Sequence, residues 1–254
     1  MIGERTTALK AIAAGIALGA ALVFPATASE KGAHWGYGAK DGPARWAKLS
    51  PKKYKTCGSG RTQSPIDVPR STASRASSIA FRYRAGSAAV VNNGHAIEVK
   101  VQKGNALYVG GRRYELLQFH FHTPSENTIA GKRFPMEMHL VHKDASGRLA
   151  VVGVMIEPGV RGHPIDALPV PRKAGAKVSI RGAVHPIRLL PATKRHYAFM
   201  GSLTTPPCSE GVRWFVMAAP VRVRAATLRR FRQVMGKNNR PVRPLNSRRV
   251  VLGR

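Results

Sequence analysis

The chain has 254 residues, with 42 Lys and Arg against 12 Asp and Glu and a net charge of +30 at pH 7. That length suits one large domain or two small ones, and with neither an internal repeat nor a low-complexity linker, one is favoured. The basic excess runs along the whole chain, with Arg-Arg pairs at 112–113, 229–230 and 248–249. No helix-turn-helix, zinc-finger or ribonucleoprotein motif accompanies it, so nucleic acid is not an expected partner. Two other readings stay open: compositional drift in an Arg-rich proteome, or attraction to an anionic envelope surface such as lipopolysaccharide, phospholipid or acidic polysaccharide.

Residues 1–28 read as a secretory signal. Arg5 and Lys10 give the positive start, 11–24 is an apolar stretch, and Ala26-Thr27-Ala28 is a small-x-small cleavage site. The stretch is shorter than the roughly 20 residues of a membrane span. Export to the periplasm, or secretion, is expected, leaving a soluble mature domain at 29–254. Loss of Arg5, Lys10 and Glu4 leaves a net charge of +29. Cys57 and Cys208 are then an even pair in a chain bound for an oxidising compartment; paired sulfurs and buried free thiols are the alternatives.

After the leader, 30–75 is rich in Gly, Pro and Lys and reads as a wrapped N-terminal segment. Strand-like runs follow at 79–84, 88–92, 95–101, 106–109 and 112–122, then at 136–142, 149–157, 177–180, 196–199 and 213–219. Turn residues separate most of them. Residues 158–175 are Pro- and Gly-rich and aperiodic, a surface loop. One helix is predicted at 228–235, with Thr227 as its N-cap and Gly236 as its stop. The expected fold is mostly β (α+β), a single domain with a large, mainly antiparallel central sheet and few short helices.

The chemistry concentrates in Gln118-Phe119-His120-Phe121-His122 and Glu137-Met138-His139. Side chains on a strand repeat every two residues, so Gln118, His120 and His122 share one face while Phe119 and Phe121 take the other. Glu137 and His139 repeat the arrangement on a second strand-like run. Three imidazoles leave one tetrahedral position open, the pattern of a catalytic zinc site rather than a closed structural one. A metal-bound His gives its other ring nitrogen to a polar partner, which suits Gln118 and Glu137. Histidines merely satisfied within a core are the alternative reading of the same residues.

Further blocks join these: His34-Trp35-Gly36-Tyr37-Gly38, Gln63-Ser64-Pro65-Ile66-Asp67, Asn92-Asn93-Gly94-His95-Ala96, 118–127, 135–143, 201–210 with Thr204-Thr205-Pro206-Pro207-Cys208, and 240–246. Any one is weak, but together and in this order the chain resembles the α-class carbonic anhydrases, most of all the bacterial exported ones, over nearly all of its length after the first thirty residues. The resemblance implies a twisted mixed sheet of roughly ten strands with zinc at the bottom of a cone-shaped cleft. It implies His120, His122 and His139 as zinc ligands, with Gln118 orienting His120 and Glu137 orienting His139. The implied reaction is reversible hydration of carbon dioxide to bicarbonate and a proton through a zinc-bound hydroxide. In enzymes of this family the metal lowers the pKa of water from about 16 to about 7.

The same resemblance makes Thr204 the residue that orients the nucleophile, backed by Glu126 as acceptor of its proton, and places Thr205 at the bicarbonate position. Val141, Val151, Leu203, Val212 and Trp214 match the apolar substrate wall. His95 matches the proton shuttle, with Tyr37, Asn93 and Glu98 along the water path. Glu98 departs from the family, where an amide is usual; a carboxylate there is expected to raise the His95 pKa. A Cys57–Cys208 disulfide, weak esterase activity, inhibition by sulfonamides and a monomeric or homodimeric state complete the expectation. The remaining histidines, 34, 142, 163, 185 and 196, are read as structural or surface residues.

Overall fold

A bulge in the longest strand decides which residues reach the site. Along Arg112–His122 the core-facing residues are Tyr114 and Leu116, then Phe119 and Phe121. A two-residue repeat cannot place 116 and 119 on the same face. Pairing slips by one residue between Leu116 and Gln118, and Leu117 is left exposed. The slip reverses the parity of the strand, so that Gln118, His120 and His122 all turn away from the core.

The computed structural model describes residues 33–69, 78–160 and 162–253; the expected leader at 1–28 lies outside them. The strands among the described residues are, in chain order, β1 Asp67–Val68, β2 Ile79–Arg82, β3 Ala88–Asn92, β4 Ile97–Val101, β5 Ala106–Val109, β6 Arg112–His122, β7 Thr128–Ile129, β8 Met136–Lys143, β9 Leu149–Pro158, β10 Lys177–Ser179, β11 His196–Ser202, β12 Glu210–Met217, β13 Val221–Val223 and β14 Val251–Gly253. Twelve of them make one mixed sheet with the path β10-β3-β4-β6-β8-β9-β12-β11-β14. Strands β5 and β2 extend from β6, and β13 pairs with the end of β9. The β9–β12 and β9–β13 pairs are parallel; the remaining pairs of this sheet are antiparallel. Strands β1 and β7 form a separate parallel pair.

The central strands β8 and β9 are buried on both faces, which is why 149–156 reads as an unbroken apolar run. One face carries Phe119, Phe121, Met138, Leu140, Val152, Val154 and Phe215. The other carries Val151, Met155, Val212, Trp214 and Val216, with the histidine cluster beside them. Each large apolar side chain removed from water contributes about 1.5–3 kcal/mol, so reversing the parity of either strand would be very costly.

Helices are few: α1 Trp46–Leu49, α2 Thr56–Ser59 and α3 Ala225–Met235, with two short 3-10 turns at Pro164–Ala167 and Pro186–Leu189. The expected start of α3 is corrected by one turn. Arg224 occupies the N-cap position, and the Thr227 hydroxyl donates to Asp166 Oδ1 from inside the helix. The stop is as expected, at Gly236 with φ +63°. Phe231 anchors α3 against Phe121, ring centroids 4.7 Å apart, so the helix end delivers Asn238 to the histidine strand.

Candidate metal centre

His120 and His139 face each other as directly paired residues of β6 and β8, and His122 lies one repeat along β6. One nitrogen from each of the three rings lies within 4.8 Å of the others, so the set is able to converge on a single ion. The opposite nitrogen of each ring faces a polar group. Gln118 Oε1 is 2.9 Å from His120 Nδ1. The Asn238 carbonyl is 2.8 Å from His122 Nδ1. Glu137 Oε1 is 3.0 Å from His139 Nε2, though bent away from hydrogen-bond alignment. The free atoms are thus Nε2 of His120 and His122 and Nδ1 of His139.

These rings fit a metal on their own chemistry. Burial and mutual repulsion hold His120 and His139 well below the ordinary imidazole pKa; His122 is lowered by burial. All three are therefore neutral, the form that ligates. His122 Nε2 is buried with no hydrogen-bond partner, and so is Glu126 Oε2, 3.5 Å from it. Buried acceptors without a donor are costly unless a cation is held beside them. Glu126 is pushed up to about 8 by burial, against the pull of the Arg240 N–H and the Thr204 hydroxyl. A dication at the triad favours its ionised form.

The predicted neighbours come together around this triad. Thr204 is buried and hydrogen-bonded to Glu126. Tyr37, Asn93, His95, Glu98, Gln118, His120, His122 and Thr205 line one cleft of about 160 Å³. Val151, Val212 and Trp214 are buried, and Val141 and Leu203 pack on them, in one apolar cluster. That cluster reaches the triad through Trp214, whose ring lies 4.9 Å from His139. Sulfurs of Cys57 and Cys208 are bonded.

One expectation is overturned. Glu98 does not raise the pKa of His95. Its carboxylate faces Asn93 Nδ2 at 3.4 Å and Lys100 Nζ at 3.9 Å. His95 instead stacks on Trp35, rings 3.8 Å apart and 8° from parallel. Burial there and the neighbouring His34 lower its pKa, with Asp41 opposing.

A family model for eukaryotic-type carbonic anhydrases matches residues 41–253. The chain belongs to the α-carbonic anhydrase family. It is 40% identical over 239 residues to the carbonic anhydrase of Pectobacterium carotovorum, covering 93% of this chain and 97% of that one. It is 40% identical to the Neisseria gonorrhoeae carbonic anhydrase, covering 91% and 93%. The solved complex of the Thermovibrio ammonificans α-carbonic anhydrase with the inhibitor sulfanilamide aligns with a TM-score of 0.82 at 44% identity, covering 87% of this chain and all of that chain.

Several residues that position this carbonic anhydrase centre escaped the sequence reading. Asn238 fixes the His122 tautomer through its carbonyl, while its side chain binds Thr123 N, Phe121 O and His95 O. Asn127 donates to Glu137 Oε1 from its side chain and to Oε2 from its backbone. Arg240 gives its N–H to Glu126 and its buried guanidinium to the carbonyls of Ser64 and Cys57. The Asn238 and Arg240 contacts join residues more than a hundred positions apart, and Asn127 reaches Glu137 across ten, so no strand or helix repeat marks them.

Gly153 is a fourth. It pairs with His139 across β8–β9, and a Cβ there would lie 2.8 Å from Glu137 Oε1. Gly153→Ala is therefore expected to displace the carboxylate behind His139 and weaken zinc binding about 10–100-fold, the usual cost of losing a ligand's supporting partner. Competition with a fluorescent chelator reads this out; unchanged affinity would show that Glu137 does not position the ligand.

Proposed function

We propose that the protein interconverts carbon dioxide and water with bicarbonate and a proton, using zinc held by His120, His122 and His139. The observation that carries this is three neutral imidazoles with one nitrogen each able to meet the others' at a single point and the other facing Gln118, Asn238 or Glu137. Bound zinc acidifies water to a pKa of about 7, as established for this family, and so supplies a nucleophilic oxygen at neutral pH.

The chain's own residues do the rest. Thr204 donates its hydroxyl hydrogen bond to Glu126, so only its lone pairs face the attacking oxygen. It then accepts a hydrogen bond from the O–H of that oxygen, whose lone pair is left aimed at carbon. The apolar wall of Val141, Val151, Leu203, Val212 and Trp214 holds the apolar substrate, and Thr205 meets the product anion. A carbon–oxygen bond forms, and the released proton passes along the polar cleft to His95 and then to buffer. The same nucleophile attacks activated carbonyls, giving weak esterase activity, and a sulfonamide anion blocks the site.

His95→Ala is expected to reduce maximal turnover about 10–100-fold in weak buffer, within the usual range for losing a proton-transfer group. Added imidazole restores it. Unaltered turnover would mean that protons leave by another route. Burial lowers the His95 pKa, so its NMR titration should centre below 6.5, leaving the ring unprotonated and ready to accept at pH 7. A midpoint above 6.5 would reverse the account given of Glu98.

Export fits the disulfide, since such bonds persist in oxidising compartments. We place the mature domain at 29–254, in the periplasm, at an anionic envelope surface. The retained acids support the surface reading. All ten among the described residues are engaged. Asp41, Asp67, Glu115, Glu126, Glu137, Asp144, Asp166 and Glu210 accept from backbone N–H groups. Glu98 and Glu157 pair with Lys or Arg. Each of these carboxylates is engaged by the fold or the site, and the other charged side chains among the described residues are cationic. Zinc content by mass spectrometry, at one ion per chain, tests the metal assignment; a folded protein that binds none after zinc loading would reject it.

A further inference from the structure

We propose that a second cleft, remote in its lining from the catalytic one, binds an anionic membrane lipid, taking the acyl chain between apolar walls and the phosphate on arginines. The inference rests on the anionic-surface reading above and gives it a location. The cleft has a volume of about 230 Å³ and is walled by Leu168, Ile180, Val184 and Leu189, with exposed Arg181 and Arg188 also lining it. No Asp or Glu lines it, and it shares no residue with the catalytic cleft. Its volume falls below the roughly 300–1,000 Å³ of small-molecule sites, so it suits a chain segment rather than a whole drug-sized ligand.

The surroundings supply the headgroup side. Asp166 accepts from Arg224 N and from the Thr227 hydroxyl, and Arg230 Nη2 donates to the carbonyls of Asp166 and Leu168. These bonds fasten the cleft wall at Leu168 to the first turns of α3 and bring the exposed Arg224 and Arg230 beside it. Val160, two residues past the end of β9, is 98% exposed. Its neighbour Gly159 is hydrogen-bonded to Val223 and lies so close to Arg222 that a Cβ would be 2.6 Å from the arginine Cβ. Apolar walls offer nothing to the phosphates of a nucleic acid or to a polysaccharide; an acyl chain fills them and its phosphate meets the arginines.

The test is co-sedimentation of the mature protein, at low salt, with vesicles of 70% phosphatidylcholine and 30% phosphatidylglycerol. Arg181→Glu/Arg188→Glu is compared with Lys52→Glu/Lys103→Glu, an equal charge change at exposed residues outside this cleft. Carbon dioxide hydration serves as the fold check for both. The cleft variant should bind at least about tenfold more weakly than wild type, since each basic residue near an anionic surface is worth about 1 kcal/mol, and clearly more weakly than the other pair. Dihexanoyl phosphatidylglycerol below its micelle concentration should displace the protein from vesicles, and glycerol phosphate should not. Equal loss in the two charge variants would overturn the cleft while leaving diffuse attraction to anionic surfaces. Failure of wild type to bind these vesicles would end both readings.

Discussion

Replacement of His139 by alanine is expected to leave a folded protein without zinc and with carbon dioxide hydration at the uncatalysed background. His139 supplies the only ligand from β8, and it is the ring whose neighbours are most elaborate: Glu137 behind it, Glu126 beside it, Trp214 against it. Glu137 is itself clamped by two backbone amides and the Asn127 side chain. Two imidazoles on one strand hold zinc weakly, because the ion's third protein bond and its tetrahedral geometry are gone. His139 is buried, so truncation also leaves a cavity. His120→Ala separates the two effects. His120 is less fully buried than His139, and its loss should remove the metal with a smaller change in melting temperature. Metal analysis after dialysis, with stopped-flow rates, reads both. Stoichiometric zinc in His139→Ala would remove it from the ligand set.

The second large effect is expected from the disulfide. Cys57→Ser/Cys208→Ser opens a covalent loop of 151 residues. The chain-entropy account assigns such a loop roughly 4–5 kcal/mol. For a domain of this size about 2–4 °C accompanies each kcal/mol, so melting should fall by roughly 8–20 °C. Activity should suffer too. Cys208 ends the Thr204–Cys208 turn, and Gln63 Nε2, six residues beyond Cys57, donates to the Cys208 carbonyl. The bond therefore ties the N-terminal segment, with its Trp46 and Tyr54 packing, to the loop carrying Thr204. Calorimetry of oxidised and reduced wild type measures the same quantity without mutation. A shift under about 2 °C would show that the neighbouring contacts alone hold the loop.

Much of the site was legible because its signal is local. The spacing of 118, 120 and 122, and of 137 and 139, states a shared strand face, and turn residues bound β3, β5 and β6 at the ends expected. What stayed hidden is non-local. The short strands β1, β7, β13 and β14 have two or three residues each and exist because partners elsewhere receive them. The parallel pairing of β9 with β12 has no signature in either strand alone. Asn238 lies just past the end of α3, where no motif singles it out, yet it joins the metal centre to the backbone of His95. The misjudged His95 shows the same limit. Glu98 was near in sequence and on the right strand, but Trp35, sixty residues away, set the ring's environment.

The central claim is that this triad makes a catalytic zinc centre for carbon dioxide. Stopped-flow hydration with a pH indicator, on residues 29–254 from pH 6 to 9, tests it most directly. The account predicts a rate that rises through a pKa near 7, disappears with a metal chelator and is blocked by an aromatic sulfonamide. A folded, zinc-loaded protein that leaves carbon dioxide at its uncatalysed rate across that range would contradict it.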